Sequence, residues 1–225
     1  VEIPSFYLNY RARRAGADYR SVSEDTNKAL QALANKNVEG IIIDLRNNPG
    51  GSLEEVAKML GQVIKSGPVV QIRDGNGNVS VFEDTDGGKQ TYAGPLAVMI
   101  NLASASASEI YSAAIQDYGR GIVIGSTTTG KGTAQVQLDT LAHGQATLTQ
   151  RKFYRVTGGS TQNKGVIPDI KLVDIYDEEF GERKAKNALV WDTIATTPFK
   201  REGEIESYIP SLSAKSKQRV DADAQ

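Results

Sequence analysis

Cysteine is absent from the 225 residues, and histidine occurs once, at His143. The first absence removes thiolate nucleophiles, disulfides and every cysteine-ligated metal site. The second rules out imidazole metal clusters and leaves any Ser-His-Asp arrangement a single residue to draw on. A surplus of charge is missing as well, since 26 Lys and Arg face 27 Asp and Glu for a net charge of −1. A sequence-independent hold on nucleic acid needs excess cations facing phosphates, so no nucleic-acid partner is expected. No run approaches the ~18 apolar residues of a membrane span, and no basic-then-apolar leader opens the chain. It starts on strand-like Val1-Glu2-Ile3-Pro4-Ser5-Phe6-Tyr7 without an initiator Met, and so reads as a piece of a longer protein. The composition that remains, 39% hydrophobic and 24% charged, is that of a globular chain able to bury a core.

Strands and helices alternate to about residue 172. Ser21-Val22-Ser23-Glu24 has capping-box spacing and predicts a helix to about Leu33. The β-branched run over 38–45 predicts a buried strand, followed by a tight turn over 46–51. Ser52-Leu53-Glu54-Glu55 repeats the capping pattern, with Leu53, Val56, Ala57, Leu60, Val63 and Ile64 at helical spacing behind it. Residues 69–73 and 78–82 flank Asp74-Gly75-Asn76-Gly77 as a hairpin. A strand over 96–100, a helix over 106–118 stopped by Gly119, a strand over 121–125 and extended runs over 133–139 and 145–156 complete the pattern. It is that of an α/β domain with a mixed sheet and flanking helices. From Val173 onward the chain is charged, with 187–191 its only apolar cluster. Residues 173–225 are expected to form a helical or irregular extension whose last dozen residues are mobile.

Three turns hold the residues with chemistry. Gly125-Ser126-Thr127-Thr128-Thr129-Gly130-Lys131 has the G-x-x-x-x-G-K spacing of a phosphate loop, and Asp44 after Ile41-Ile42-Ile43 imitates a magnesium ligand. Gly132 stands where the magnesium-binding hydroxyl belongs, however, and Thr133 to Gln137 is extended where a phosphate loop must open a helix. The nucleotide reading is set aside, and no cofactor or metal is expected. Ser104-Ala105-Ser106-Ala107-Ser108-Glu109 lies at a strand-to-helix junction, where a serine can sit exposed in a partly positive field; a serine-rich cap has the same pattern. Asn47-Asn48-Pro49-Gly50-Gly51 offers backbone N–H groups to an anion, or supplies only positive φ in a turn. A serine nucleophile needs a base, and a lysine serves when neutral, a state that apolar and glycine surroundings favour. Lys131, between Gly130 and Gly132, has room for such close approach. His143, between Ala142 and Gly144, reads as an exposed turn residue.

The order of the motifs adds a resemblance. Asp44-Leu45-Arg46-Asn47-Asn48-Pro49-Gly50-Gly51, Ser104 to Glu109, Gly130 to Gln135, Lys152-Phe153-Tyr154-Arg155 with Gly158-Gly159-Ser160, and Lys164 to Ile170 follow one another in the chain. Over residues 1–172 this resembles the carboxy-terminal processing proteases, most of all their bacterial tail-specific branch, and 187–194 resembles that branch's C-terminal extension. The resemblance implies a crotonase-like (ClpP-like) α/β core and a serine endopeptidase with a Ser–Lys dyad. The family's lysine follows its serine by 25 positions, which Ser106 and Lys131 satisfy. Ser106 is then the nucleophile, Lys131 the general base, Gln135 the residue that orients the lysine and Glu109 a supporting position. The amides of Gly50 or Gly51 and of Ala107 are the implied oxyanion hole. Also implied are ATP-independent cleavage of unfolded proteins or of proteins with apolar C-terminal tails, a periplasmic setting at the inner membrane and a helical-repeat lipoprotein adaptor. A PDZ domain lies upstream in the family and has no counterpart in these residues. Leu102-Ala103 and Ser126 to Thr129 depart from the family's usual residues beside the serine and lysine. A non-catalytic binding module on the same fold is the alternative, against which the presence of Ser106, Lys131 and Gln135 together counts.

Overall fold

The computed structural model describes residues 1–84, 89–138, 143–176 and 180–223, and in it the two serine caps start the helices their spacing predicts. The Ser21 hydroxyl accepts from the Glu24 amide and opens α2 (Val22–Ala34), behind a short α1 (Tyr10–Arg14). The Ser52 hydroxyl accepts from the Glu55 amide and opens α3 (Leu53–Gly61). Between them lies β1 (Ile41–Asp44), and after α3 come the hairpin β2 (Pro68–Asp74) and β3 (Val79–Glu83) and then β4 (Leu96–Ile100). α4 (Ala107–Asp117), β5 (Ile122–Gly125), β6 (Thr133–Leu138), β7 (Ala146–Tyr154), β8 (Ile170–Lys171) and α5 (Ile209–Ala222) follow. The predicted extended run over 133–139 ends at a position outside the described residues. Among those residues no helix is long and apolar enough to cross a membrane.

The strands divide between two sheets instead of forming the single mixed sheet expected. One, in the order β1-β4-β5-β8, is parallel throughout; the other, β3-β2-β7-β6, is antiparallel throughout. Hydrophobic periodicity marks a strand but not its partner, so the division follows from packing. The core explains it: α4 is buried at every residue except Gln116 and touches both β5 and β2. A helix enclosed on all sides needs small residues where backbones approach, and Ala107, Ser108, Ser112, Ala113 and Ala114 provide them.

The extension is less loose than its composition suggests. Residues 192–202 run along the core: the Ser160 amide donates to the Asp192 carbonyl, the Ile194 amide to Gly158 and the Thr197 amide to Val156. The Glu202 amide donates to Tyr118 at 2.9 Å, and the Phe199 ring meets the buried Tyr118 ring edge-on at 5.3 Å. Trp191 of the apolar cluster donates its indole N–H to the Ser160 carbonyl at 2.8 Å. At its end, residues to Ala222 are helical, with Pro210 in the first turn.

Candidate active site

The three turns singled out in the sequence follow the carboxyl ends of β1, β4 and β5, which are neighbours in the parallel sheet. Parallel strands deliver their following loops to one edge, where open α/β sheets bind ligands. That is why segments starting near residues 47, 104 and 126 meet. Asn48 joins the first two and is fully buried. Its Nδ2 donates to the Ile3 carbonyl at 2.8 Å, and its carbonyl accepts from the Ala105 amide and the Ser108 hydroxyl.

The serines are separated by their surroundings. Ser104 and Ser108 are fully buried, and their hydroxyls donate to the carbonyls of Leu45 (2.8 Å) and Asn48 (2.9 Å). Ser106 is partly exposed, and among the described residues its hydroxyl donates to no carbonyl. Its backbone is also unusual, at φ +56° and ψ −110°. The other described non-glycine residues with positive φ are Asn37, Asn47 and Asn163, a type that tolerates it; Ser106 holds a strain of about 1–3 kcal/mol.

Glu109 holds that conformation. One turn into α4 and fully buried, its carboxyl forms a capping box with Ser106 and accepts from four donors. Oε2 takes the amides of Ser106 (2.8 Å) and Lys131 (2.9 Å); Oε1 takes the Thr128 hydroxyl (2.6 Å) and the Gly130 amide (2.7 Å). The backbones of the candidate nucleophile and base thus converge on a single oxygen. Burial pushes the carboxyl up to about 7, against the pull of its donors. Lys131 is half-buried, and among the described residues no carboxylate pairs with its amine. Its flanking glycines lie against the 162–163 backbone. A β-carbon at Gly132 would meet the Gln162 nitrogen at 2.4 Å, and one at Gly130 the Asn163 carbonyl carbon at 2.9 Å. The loop runs on into β6 and not into a helix, so it lacks the helix N-terminus a phosphate loop needs.

The expected oxyanion groups fall into two sets. Gly50 packs on the nucleophile turn, where a β-carbon would lie 2.9 Å from Ser106 Cβ and 3.0 Å from the Ala107 nitrogen. Its amide, however, donates to Asn48 Oδ1 at 2.9 Å, which occupies it. Gly51 bridges Phe6 through bonds made by the Gly50 carbonyl and the Ser52 amide, so its own N–H faces away from Phe6. Ala107 is the first residue of α4, and its N–H has no acceptor within the helix. Gln135 is exposed on β6, and its amide donates to the Thr149 hydroxyl across the sheet at 3.4 Å. His143 is exposed, as its turn setting predicts.

Asn48 and Thr128 lie in turns that the sequence singles out, but it assigns them no role, and Gln162 lies outside those turns. Each is a polar side chain with no exposed surface, bonded to backbone or to a glutamate, and no local pattern distinguishes such a residue from a surface one.

With this geometry in place, comparison with known proteins is specific. Residues 1–172 match the model of peptidase family S41, and residues 175–225 match that of the C-terminal domain of tail specific protease. The tail-specific protease of Haemophilus influenzae is 43% identical over 237 residues, covering 100% of this chain and 32% of that protein. The carboxy-terminal processing protease CtpB of Bacillus subtilis is 37% identical over 151 residues, covering 67% of this chain and 31% of its own. The chain therefore spans about a third of the length of the curated relatives it matches. Among solved structures, the photosystem II D1 C-terminal processing protease superposes with a TM-score of 0.63 at 27% identity, covering 76% of this chain and 41% of that one. By its first 172 residues, the chain belongs to peptidase family S41.

Proposed function

We propose that this chain is the catalytic part of a serine endopeptidase, on a crotonase-like core, with Ser106 as nucleophile and Lys131 as general base. The observation that carries the reading is the Glu109 carboxyl, which binds the amides of both residues while the neighbouring serines are locked to carbonyls. Ser106 Oγ attacks the scissile carbonyl carbon and gives its proton to Lys131 Nζ. The oxyanion accepts from the Ala107 N–H and from Gly51, the glycine whose amide is not taken by Asn48. The tetrahedral intermediate collapses, the C–N bond breaks, and the lysine ammonium protonates the departing amine. Lys131 then takes a proton from water, whose oxygen attacks the ester carbon, and returns that proton to Ser106 Oγ as the acyl–oxygen bond breaks. No step needs ATP.

Unfolded proteins, or proteins with exposed apolar C-terminal tails, are the substrate class we assign. The setting is the periplasm, at the inner membrane, with an upstream PDZ domain and a helical-repeat lipoprotein adaptor as partners. Mass-spectrometric detection of cleavage of an unfolded polypeptide with an apolar C-terminus tests this in the complete protein. Ser106→Ala and Lys131→Ala are each expected to abolish cleavage while leaving the melting temperature within a few degrees. Full cleavage by either variant assigns that role elsewhere, and silence of the unsubstituted protein favours a binding module.

A further inference from the structure

Lys131 is held not only by Glu109. The residue after it, Gly132, donates its amide to Gln162 Oε1 at 2.8 Å, and the residue before it, Gly130, accepts the Asn163 amide at 2.7 Å. Gln162 is fully buried, and its other end donates from Nε2 to Glu182 Oε1 at 3.0 Å. Glu182 belongs to the extension, in the short 3-10 turn Glu182–Lys184, and its own amide donates to the Thr129 carbonyl at 2.9 Å. Both bonds reach the Lys131 segment, one directly at Thr129 and one through the Gln162 amide.

We propose that Glu182, outside the core that carries the dyad, is a positioning residue for Lys131, acting through Gln162. The reading rests on Lys131 being the general base. A side-chain amide can rotate, and then presents Nε2 where Oε1 is needed; Glu182 accepts only, so it fixes Gln162 with its oxygen toward the Gly132 amide. That bond sets the backbone just after Lys131, and with it the direction of the lysine side chain. A base misplaced by about 1 Å costs on the order of a hundredfold in rate, so a loosened clamp affects chemistry before it affects substrate binding.

The test uses the complete protein, with Glu182→Ala and Glu182→Gln compared on a quenched fluorescent peptide. Glu182→Ala should lower kcat about three- to tenfold, the range for one hydrogen bond, with KM within twofold of the unsubstituted value. Glu182→Gln should recover part of the rate, because its amide oxygen can still accept from Gln162 but no longer excludes the rotated amide. The labelling rate of Ser106 by a fluorophosphonate should follow kcat. An unchanged kcat in Glu182→Ala overturns the proposal, as does a loss that tracks a falling melting temperature and is not recovered by Glu182→Gln. Ser106→Ala and Lys131→Ala run beside these variants. Cleavage surviving in either overturns the dyad reading itself, whereas silence there with full activity in Glu182→Ala overturns only the positioning role.

Discussion

Ser106 sits in a backbone conformation that serine avoids, and a few neighbours make it affordable. Gly50 is one of them: Gly50→Ala would force a methyl group to 2.9 Å from Ser106 Cβ at a φ of +104°. We expect it to cost about 1–3 kcal/mol in stability and to lower kcat by more than tenfold, read by melting and by peptide cleavage. Glu109 is another, and its carboxyl is pushed up to about 7 by burial. An acid raised in the folded state contributes stability that is full below its unfolded value and is lost as pH rises to the folded value. Glu109→Gln does not titrate. The melting temperature of the unsubstituted protein minus that of Glu109→Gln should therefore fall from pH 4.5 to pH 7 and level off above it. A difference constant with pH would show Glu109 ionised throughout. The same variant puts an NH₂ group against N–H donors, so its activity should be at least tenfold lower at every pH.

At the scale of elements, β1, β4 and β5 bring the turns together and α4 fixes their depth. The extension adds a latch on the antiparallel sheet. Asp192 accepts from Lys152 at 2.6 Å, Arg73 at 2.6 Å and Tyr154 at 3.2 Å, and the Arg73 guanidinium lies 4.9 Å from the Tyr154 ring. Burial alone would raise the Asp192 carboxyl, but the bonds from Lys152 and Arg73 outweigh it and hold it below its ordinary range. A lowered acid contributes stability that is present above the ordinary aspartate value and is lost as pH falls below it. Asp192→Ala should loosen the strap by about 1–2 kcal/mol, allowing for the partly exposed setting. Hydrogen exchange should then quicken at Ile194 and Thr197, whose amides bond to the core, with little change in α4. Protection unchanged at those amides would show that the latch contributes nothing.

For the molecule as a whole, the extension covers surface that the first 172 residues would otherwise expose. Tyr118, fully buried, is closed over by Phe199 and bonded to Glu202, and Gln71 reaches Ala195 at 3.0 Å. Ending the chain after Leu172 should lower the melting temperature by on the order of 10 °C, as several kcal/mol does in a chain of this size. Calorimetry reads the shift. An unchanged transition would mean that the strap rests on a core already complete without it.

Local signals determined much of this before any fold was known. The caps at Ser21 and Ser52, the hairpin around Asp74 to Gly77, the strand before Lys131's loop and the small-residue helix all follow from hydrogen-bonding and periodic patterns within about a dozen residues. The resemblance carried by the ordered motifs also implied one candidate site of Ser106, Lys131, Gln135 and Glu109 with amides of Gly50 or Gly51 and Ala107. Tertiary structure decided what no window of sequence holds: that the strands separate into two sheets, and that Glu109 gathers Ser106, Thr128, Gly130 and Lys131 on one carboxyl. It likewise left Gln135 beside Thr149, occupied the Gly50 amide with Asn48, and brought Glu182 behind the lysine loop. Periodicity reports which face of an element is buried. Which distant group satisfies a buried donor depends on the packing of the whole chain, because burial away from water is what makes that bond obligatory.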